Sequence, residues 1–192
     1  MKIAIIGTAG RNEDGKKLDK DKFFKMVELV SRIKDVSEAT LVSGGAAWAD
    51  HAAVVSFLLG TCQHLELHLP CGWDVLRKQY YDTGVVDWRT NPGGTSNHYH
   101  HLFSKKVGMS ENWSLEQIYE ALEEDATMHA GKGFHDRNSE VAKADALVAM
   151  TFGKEGRVAD GGTRDTFEKY IKSGKSKAYH LDLNTMTVHD AI

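Results

Sequence analysis

Short apolar runs alternate with longer amphipathic stretches along the chain. KIAIIG (residues 2–7), TLVSGG (40–45) and ALVAMTF (146–152) are short, apolar and rich in β-branched residues. Runs of this length and composition, closed by turn residues, are typical of buried strands. LELHLP (65–70) alternates apolar and polar residues, and KAYHLDL (177–183) forms a last apolar run. The pattern therefore predicts five core strands, with residues 184–192 either pairing with the last of them or forming a tail.

Apolar residues recur at helical spacing between these strands. The first amphipathic helix is predicted by Phe23, Met26, Val27, Val30 and Ile33. A buried helix is predicted over residues 49–59. A further helix is predicted near residues 97–106, with loops on either side of it.

Two further helices are predicted from their start signals. Ser114 and Gln117 fit a capping box, in which each side chain bonds a free backbone N–H of the first turn. Thr163 stands at an N-cap position, and Gly174 suits the residue after the helix end. Because strands alternate with helices, the sequence predicts one α/β domain over residues 1–192 with a mostly parallel sheet flanked by helices. A helical and loop insertion over about residues 73–133 follows the third strand.

Charge and composition exclude several classes of protein. The net charge of −3 argues against a broad basic face for duplex nucleic acid, and also disfavours single-stranded DNA binding. No apolar run is long enough to span a membrane, and the N-terminal run of four apolar residues is too short for the core of a signal peptide. Cys62 and Cys71 are too few for a disulfide scaffold, so we expect a cytoplasmic protein with reduced thiols.

Three glycine-containing turns are the strongest candidates for a binding site. Parallel strands present their carboxyl ends at one edge, where ligands bind such sheets. Glycine lets a ligand approach the backbone, and the free N–H groups of a following helix suit phosphate. We therefore predict an anion site at this edge, with the Thr163 hydroxyl as a further donor; the alternative is a capped loop without a ligand. The predicted ligand-binding residues of these turns are Gly7, Thr8, Ala9, Ser43, Gly44, Gly45, Gly161, Gly162 and Thr163.

Other candidates leave alternatives open. Asp50 could bond ribose hydroxyls or serve only as an acid at a helix start, and Trp48 could stack on a base or pack in the core. Among His98, His100 and His101, the two spaced i, i+3 could share a helix face, but no third ligand is evident, so no metal site is predicted. No cofactor is predicted either. Neither GxGxxG before a helix nor GxxxxGK[ST] is present, which argues against a conventional dehydrogenase or ATPase.

Five tracts occur in the order seen in a known superfamily: IAIIGTAG, LVSGGAAWADHAAV, LELHLP, FHDRNSEVAKADALVAMTFG and GGTRDTFEKY. In this the chain resembles the SLOG superfamily over about two thirds of its length, with residues 73–133 mostly outside. That superfamily is similar to Rossmann folds. It includes the LOG phosphoribohydrolases, DNA-processing proteins and domains that sense nucleotide derivatives. The resemblance implies a Rossmann-like sheet, a nucleotide-derived ligand and a homo-oligomer.

The resemblance also implies site residues. Arg137 and Glu168 look like the catalytic arginine and glutamate of LOG enzymes, and Asn138 and Arg164 would join the ligand site. A carboxylate stabilises the positive sugar formed when an N-glycosidic bond breaks, and a guanidinium holds phosphate. The turn departs from the family pattern, because the proline and third glycine are missing, and Arg164 and Asp165 lie within it. Alternatively, Glu168 is an exposed carboxylate beside Lys169 or Lys172, and Arg137 is a surface arginine.

Two functions follow from these residues. The first is a nucleotide N-glycosidase, or phosphoribohydrolase, acting on nucleoside monophosphates through Arg137 and Glu168. The second is a module without catalytic activity that senses or sequesters a nucleotide-derived signal. Both place a nucleotide or a nucleotide-derived small molecule at the carboxyl edge of the sheet.

Overall fold

The computed structural model describes residues 1–154, 157–159 and 161–191, and its centre is a seven-stranded sheet. The strand order is β6-β3-β2-β1-β7-β8-β9, and every pair is parallel except β8 with β9. β4 and β5 form a separate antiparallel pair. The strands are β1 (Lys2–Gly7), β2 (Thr40–Ser43), β3 (His64–Leu69), β4 (Trp73–Asp74), β5 (Gln79–Tyr80), β6 (Thr127–Ala130), β7 (Ala146–Thr151), β8 (Ala178–Asp182) and β9 (Thr187–Asp190).

Helices connect the strands and cover both faces of the sheet. They are α1 (Asn12–Lys17), α2 (Lys20–Ser31), α3 (His51–Leu58), α4 (Pro92–Lys106), α5 (Trp113–Glu123), α6 (Phe134–Val141) and α7 (Gly162–Lys172), with a short 3-10 turn at Val36–Glu38. The predicted α/β class, with a mostly parallel, Rossmann-like sheet flanked by helices, is confirmed. No helix within the described ranges has both the length and the apolar character needed to cross a membrane.

The hydrophobic core has two layers, one on each face of the sheet. The larger layer packs α2, α3, α4 and α5 against the sheet through residues such as Phe23, Leu67 and Phe103. The smaller layer packs α6 and α7 through residues such as Val141 and Tyr170. Strands buried on both faces explain the nearly continuous apolar runs in the sequence.

Strand order reverses between β1 and β7, which lie side by side at the centre of the sheet. Successive strands after β1 extend to one side, whereas those after β7 extend to the other. The loops that leave these two strands therefore diverge and open a crevice at their carboxyl ends.

The predicted starts of α4 and α5 are wrong. α4 begins at Pro92 rather than near residue 97, because the Asn91 side chain accepts a hydrogen bond from Gly94 N at 3.1 Å and proline suits the first helical position. The predicted capping box is also absent. Ser114 is already inside α5, where its Oγ lies 2.8 Å from Ser104 Oγ, and Gln117 Oε1 lies 2.8 Å from the His51 ring nitrogen Nε2.

α7 begins two residues earlier than predicted, so Thr163 is its second residue and Gly161 precedes it as the cap. Gly161 has φ +106°, a backbone angle that favours glycine. The chain turns there without help from a threonine side chain.

The segment 73–133 contributes more than helices and loops. It contains β4, β5, α4 and α5, and it also supplies β6, an edge strand of the main sheet that pairs with β3. The sequence prediction missed β6. At the other edge β9 pairs antiparallel with β8, so of the two alternatives for the C-terminal residues the paired one is confirmed.

Candidate functional site

A cavity of about 490 Å³ opens at the carboxyl ends of β1, β2 and β7, and we call it the cleft. The starts of α6 and α7 close its other sides. Ten of the predicted site residues line it: Gly7, Thr8, Ala9, Gly44, Asp50, Arg137, Asn138, Gly161, Gly162 and Thr163. The other four, Ser43, Gly45, Arg164 and Glu168, do not. The sheet edge thus brings together turns that are far apart in sequence.

Arg137 and Asp50 form an ion pair in the wall of the cleft. Arg137 Nη1 donates to Asp50 Oδ2 at 3.1 Å, and both side chains are largely buried. Arg137 belongs to α6, whereas Asp50 immediately precedes α3. The pair therefore fixes a guanidinium at a defined place in the wall.

The Asp50 carboxylate is surrounded by further donors. Gly7 N donates to Oδ1 at 3.2 Å, and Ala46 N lies 3.4 Å from Oδ2. Burial raises the pKa of Asp50, while the Arg137 guanidinium and the backbone N–H groups oppose that shift. Because both oxygens of this carboxylate already accept hydrogen bonds from the protein, Asp50 acts mainly by holding Arg137 and the turn after β1.

Gly44 makes room for Arg137. A Cβ atom on Gly44 would lie 1.7 Å from Arg137 Nη1, which no side chain could tolerate without displacing the guanidinium. The glycine predicted from sequence as a place for ligand approach is therefore required by the protein's own arginine.

Ser43 and Gly45 lie behind the wall. Ser43 Oγ donates to the Asp50 carbonyl at 2.9 Å and accepts from Gly45 N at 3.1 Å. The Gly45 carbonyl accepts from the Tyr80 hydroxyl, and His100 Nε2 lies 2.9 Å from it. These two residues hold the shape of the turn rather than contact the cavity.

Arg11 is a second guanidinium in the cleft, and sequence reasoning missed it. Its Cζ lies 5.1 Å from the ring centroid of Tyr99 and 5.3 Å from that of Phe134. Burial lowers its pKa, and the nearby charge of Arg137 contributes to this shift. Across the described ranges no carboxylate lies within 4.0 Å of Arg11. The sequence feature that could have pointed to Arg11 is its position directly after the glycine turn that follows β1.

The start of α7 is fixed by side chains from neighbouring elements. Asn138 Nδ2 donates to the Gly162 carbonyl at 3.3 Å and to Asp165 Oδ2 at 2.9 Å. The Thr163 hydroxyl donates to the Gly7 carbonyl at 2.7 Å. The Thr163 proton is thus already used, which corrects its predicted role as a free donor. In the described part of the chain, the backbone N–H groups of Gly162 and Thr163 have no hydrogen-bond acceptor.

The first turn of α1 brings two carboxylates to the cleft, Glu13 and Asp14. Glu13 pairs with Lys16 at 2.7 Å. Asp14 Oδ2 accepts from the Thr8 hydroxyl at 2.8 Å, and that hydroxyl accepts from Gly10 N at 3.2 Å. Asp14 retains further acceptor capacity, because a carboxylate has about four lone-pair positions.

Aromatic residues complete the lining. Trp88 and Phe134 lie with ring centroids 6.2 Å apart at an angle of 41°, and both line the cavity. Trp48 does not line it: only 3% exposed, it packs against Phe103 with centroids 4.6 Å apart. Of its two predicted alternatives, the structure supports packing.

Glu168 and Arg164 lie together on the outer side of α7. Arg164 Nε donates to Glu168 Oε1 at 3.0 Å, and Lys172 Nζ lies 3.9 Å from the other carboxylate oxygen. Glu168 is about half exposed and does not contact the cleft. Of the predicted catalytic pair, only Arg137 lines the cavity.

The fold and the cleft define the class as an α/β protein with a Rossmann-like sheet and a cavity at its strand-order switch. The chain is 34% identical over 184 residues to uncharacterized protein R261 of Acanthamoeba polyphaga mimivirus. The aligned region covers 91% of this chain and 93% of the viral protein. It belongs to the same protein family as that viral protein. No family model and no solved structure matches the chain.

Proposed function

We propose that the cleft binds a nucleotide or a nucleotide-derived small molecule through its phosphate group. The observation that carries this proposal is the convergence of two guanidinium groups on one cavity. The Cζ atoms of Arg11 and Arg137 lie 5.3 and 5.8 Å from the ring centroid of the same residue, Phe134. Two like charges in a partly desolvated cleft repel each other, and a dianionic phosphate between them would relieve that repulsion.

The unused donors of the cleft also favour an anion. Arg137 Nε is buried and has no hydrogen-bond partner among the described residues. An unpaired buried donor costs about 1–3 kcal/mol, and more when the group is charged. The free N–H groups at the start of α7 add partial positive charge at the same cavity.

The remaining lining suits the other parts of a nucleotide. Asp14 offers acceptor oxygens to sugar hydroxyls, and Phe134 and Trp88 offer ring faces to a base. Inorganic phosphate alone would use only the guanidinium groups and the helix start. The combination therefore supports a ligand with a phosphate, a sugar and a base, which agrees with the resemblance to the SLOG superfamily.

Between the two predicted functions, the site supports the binding module better than the N-glycosidase. Glu168 lies outside the cleft and pairs with Arg164. The carboxylates that do line the cavity are occupied in part: Asp50 pairs with Arg137, and Glu13 with Lys16. Among the lining carboxylates, Asp14 has the most acceptor capacity left. The N-glycosidase is therefore the second candidate function, with Asp14 as its carboxylate.

Calorimetric titration with nucleoside monophosphates and with the matching nucleosides tests the phosphate requirement. We expect the monophosphates to bind and to raise the melting temperature, and the nucleosides to bind at least about tenfold more weakly, a difference of about 1.4 kcal/mol. Arg11→Gln should remove most of this difference, whereas Arg32→Gln, which changes an exposed arginine directly after α2, should not. Equal binding of nucleosides and monophosphates, or unchanged binding by Arg11→Gln, would disprove the proposal.

Chromatographic detection of free base separates the two candidate functions. For a binding module, no base is released during prolonged incubation with any monophosphate that binds. If base is released, the variants Asp14→Asn and Glu168→Ala identify the catalytic carboxylate. Loss of base release in Asp14→Asn alone assigns that role to Asp14. Loss of base release in Glu168→Ala assigns it to Glu168, as the sequence predicts.

A further inference from the structure

A second group of side chains lies on the face of the sheet covered by α6, away from the cleft entrance. Glu66 and His68 are two residues apart on β3, so they point to the same face. His129 on β6 is the register partner of His68. In-register residues of parallel strands share a face, and the three side chains therefore meet beside the sheet edge.

The distances among these side chains suit a shared ion. Glu66 Oε1 lies 2.8 Å from His68 Nε2 and 3.9 Å from His129 Nε2. The candidate ligand atoms of all three residues lie within 4.8 Å of one another. Zinc bonds to imidazole nitrogen and carboxylate oxygen are about 2.0–2.2 Å long, so ligand atoms around one ion are typically about 3–3.5 Å apart. Small side-chain rotations would bring the set to that spacing.

We propose that Glu66, His68 and His129 bind a divalent first-row transition metal ion, with Zn²⁺ as the reference ion. Two imidazoles and one carboxylate form a donor set that these ions prefer, and three protein ligands leave coordination positions free. The free positions face a second cavity of about 510 Å³, which these three residues also line.

The state of His129 distinguishes this group from an ordinary hydrogen-bonded cluster. Its Nε2 is directed at Glu66 but lies beyond hydrogen-bond distance, and its ring stacks on His68 with centroids 4.9 Å apart. Nothing else in the described part of the chain bonds to the His129 ring. An ion between the carboxylate and the two rings would use this nitrogen.

Neighbouring side chains hold the Glu66 carboxylate in place. His68 Nε2 lies 2.8 Å from its Oε1. Lys2 bonds the second carboxylate oxygen and thereby orients the first, as outer partners of metal ligands commonly do.

Titration of metal-free protein with Co²⁺, followed by displacement with Zn²⁺, tests the proposal. The protein is first dialysed against a chelator, and the ligand-field absorption of Co²⁺ reports ions held by nitrogen and oxygen ligands. We expect one saturable site per chain, with the Co²⁺ signal lost when Zn²⁺ is added. Isothermal titration with Zn²⁺ alone should give the same stoichiometry.

His129→Ala is the decisive variant, because the His129 side chain is 53% exposed and its removal should leave the fold intact. We expect the affinity for Zn²⁺ to fall at least tenfold, and Glu66→Gln to have a similar effect. His98→Ala removes an exposed histidine of α4 and should bind as the unchanged protein does. Absence of saturable binding, or equal affinity in His129→Ala, would overturn the proposal. Neither result depends on what the cleft binds.

Discussion

Arg137 reaches from α6 across Gly44 to Asp50, and the two charged groups meet with Nη1 3.1 Å from Oδ2. Only 12% of the arginine side chain and 6% of the aspartate side chain are exposed. The pair joins segments 87 residues apart in sequence. It therefore has two roles, which are to connect α6 to the turn before α3 and to hold one cation at the cleft.

Arg137→Met should strongly destabilise the protein, because it leaves the buried Asp50 carboxylate without its counter-charge. Breaking a buried ion pair from one side costs about 3–5 kcal/mol. The double variant Asp50→Asn, Arg137→Met should recover part of that loss, since neither partner then carries an uncompensated charge. Urea denaturation of both single variants and the double variant measures the coupling. Strictly additive losses would show that the two residues are energetically independent.

Gly44→Ala should displace the Arg137 guanidinium. The added methyl group would overlap Nη1 at 1.7 Å, and overpacking of this kind costs about 1–3 kcal/mol. Gly72→Ala is the matched control, because a Cβ there meets no atom within 4 Å. We expect lower stability and weaker nucleotide binding for Gly44→Ala only, measured by urea denaturation and calorimetric titration. Equal stability of the two variants would mean that the turn after β2 relaxes at little cost.

Stability should fall as the pH drops below about 6.5, because two buried histidines resist protonation. Burial lowers the pKa of His51 to about 3, with the charge of His100 as a further cause, and burial lowers the pKa of His100 to about 4. Their unfolded pKa is near 6.5, so between that pH and about 4 the unfolded chain binds more protons than the folded protein. The contribution of these two histidines to stability is therefore fully present above pH 6.5. It is lost on acidification, by up to about 1.4 kcal/mol per pH unit for each histidine.

Urea denaturation in a series of buffers from neutral to mildly acidic pH checks this slope. His100→Gln retains a side chain that can donate to the Gly45 carbonyl, and it should flatten the dependence on pH. His98→Gln, at an exposed position of the same helix, should leave the slope unchanged. An unaltered slope in His100→Gln would assign the acid sensitivity to carboxylates instead.

The sequence was sufficient for the centre of the sheet but not for its edge. β1, β2 and β7 are buried runs whose composition alone indicates a strand. β6 is a four-residue strand whose side chains are all exposed, so no apolar pattern marks it. Its assignment depends on hydrogen bonding to β3, which local patterns do not show.

The same limit applies to the site. The meeting of the glycine turns could be predicted, because the carboxyl ends of parallel strands lie at one edge of the sheet. The position of Arg11 in the cleft could not be predicted, because its partners Tyr99 and Phe134 lie far along the chain. Glu168 matches the family spacing from the turn, but spacing does not fix the helix face. Thr166 lines the cleft, and Glu168 two residues later is rotated by roughly 200° to the outer side.

Trp88 should report ligand binding by a change in its fluorescence, if the proposed cleft takes the base of a nucleotide. It is 40% exposed and lies beside Phe134, so a base between these rings would alter its emission by stacking and by excluding water. We expect a saturable change on adding a nucleoside monophosphate, its loss in Trp88→Phe, and its retention in Trp73→Phe, where the replaced ring packs on Tyr80 outside the cleft. A change that survives in Trp88→Phe would place the base elsewhere. Calorimetric binding without any change in emission would mean that only the phosphate and sugar enter the cleft.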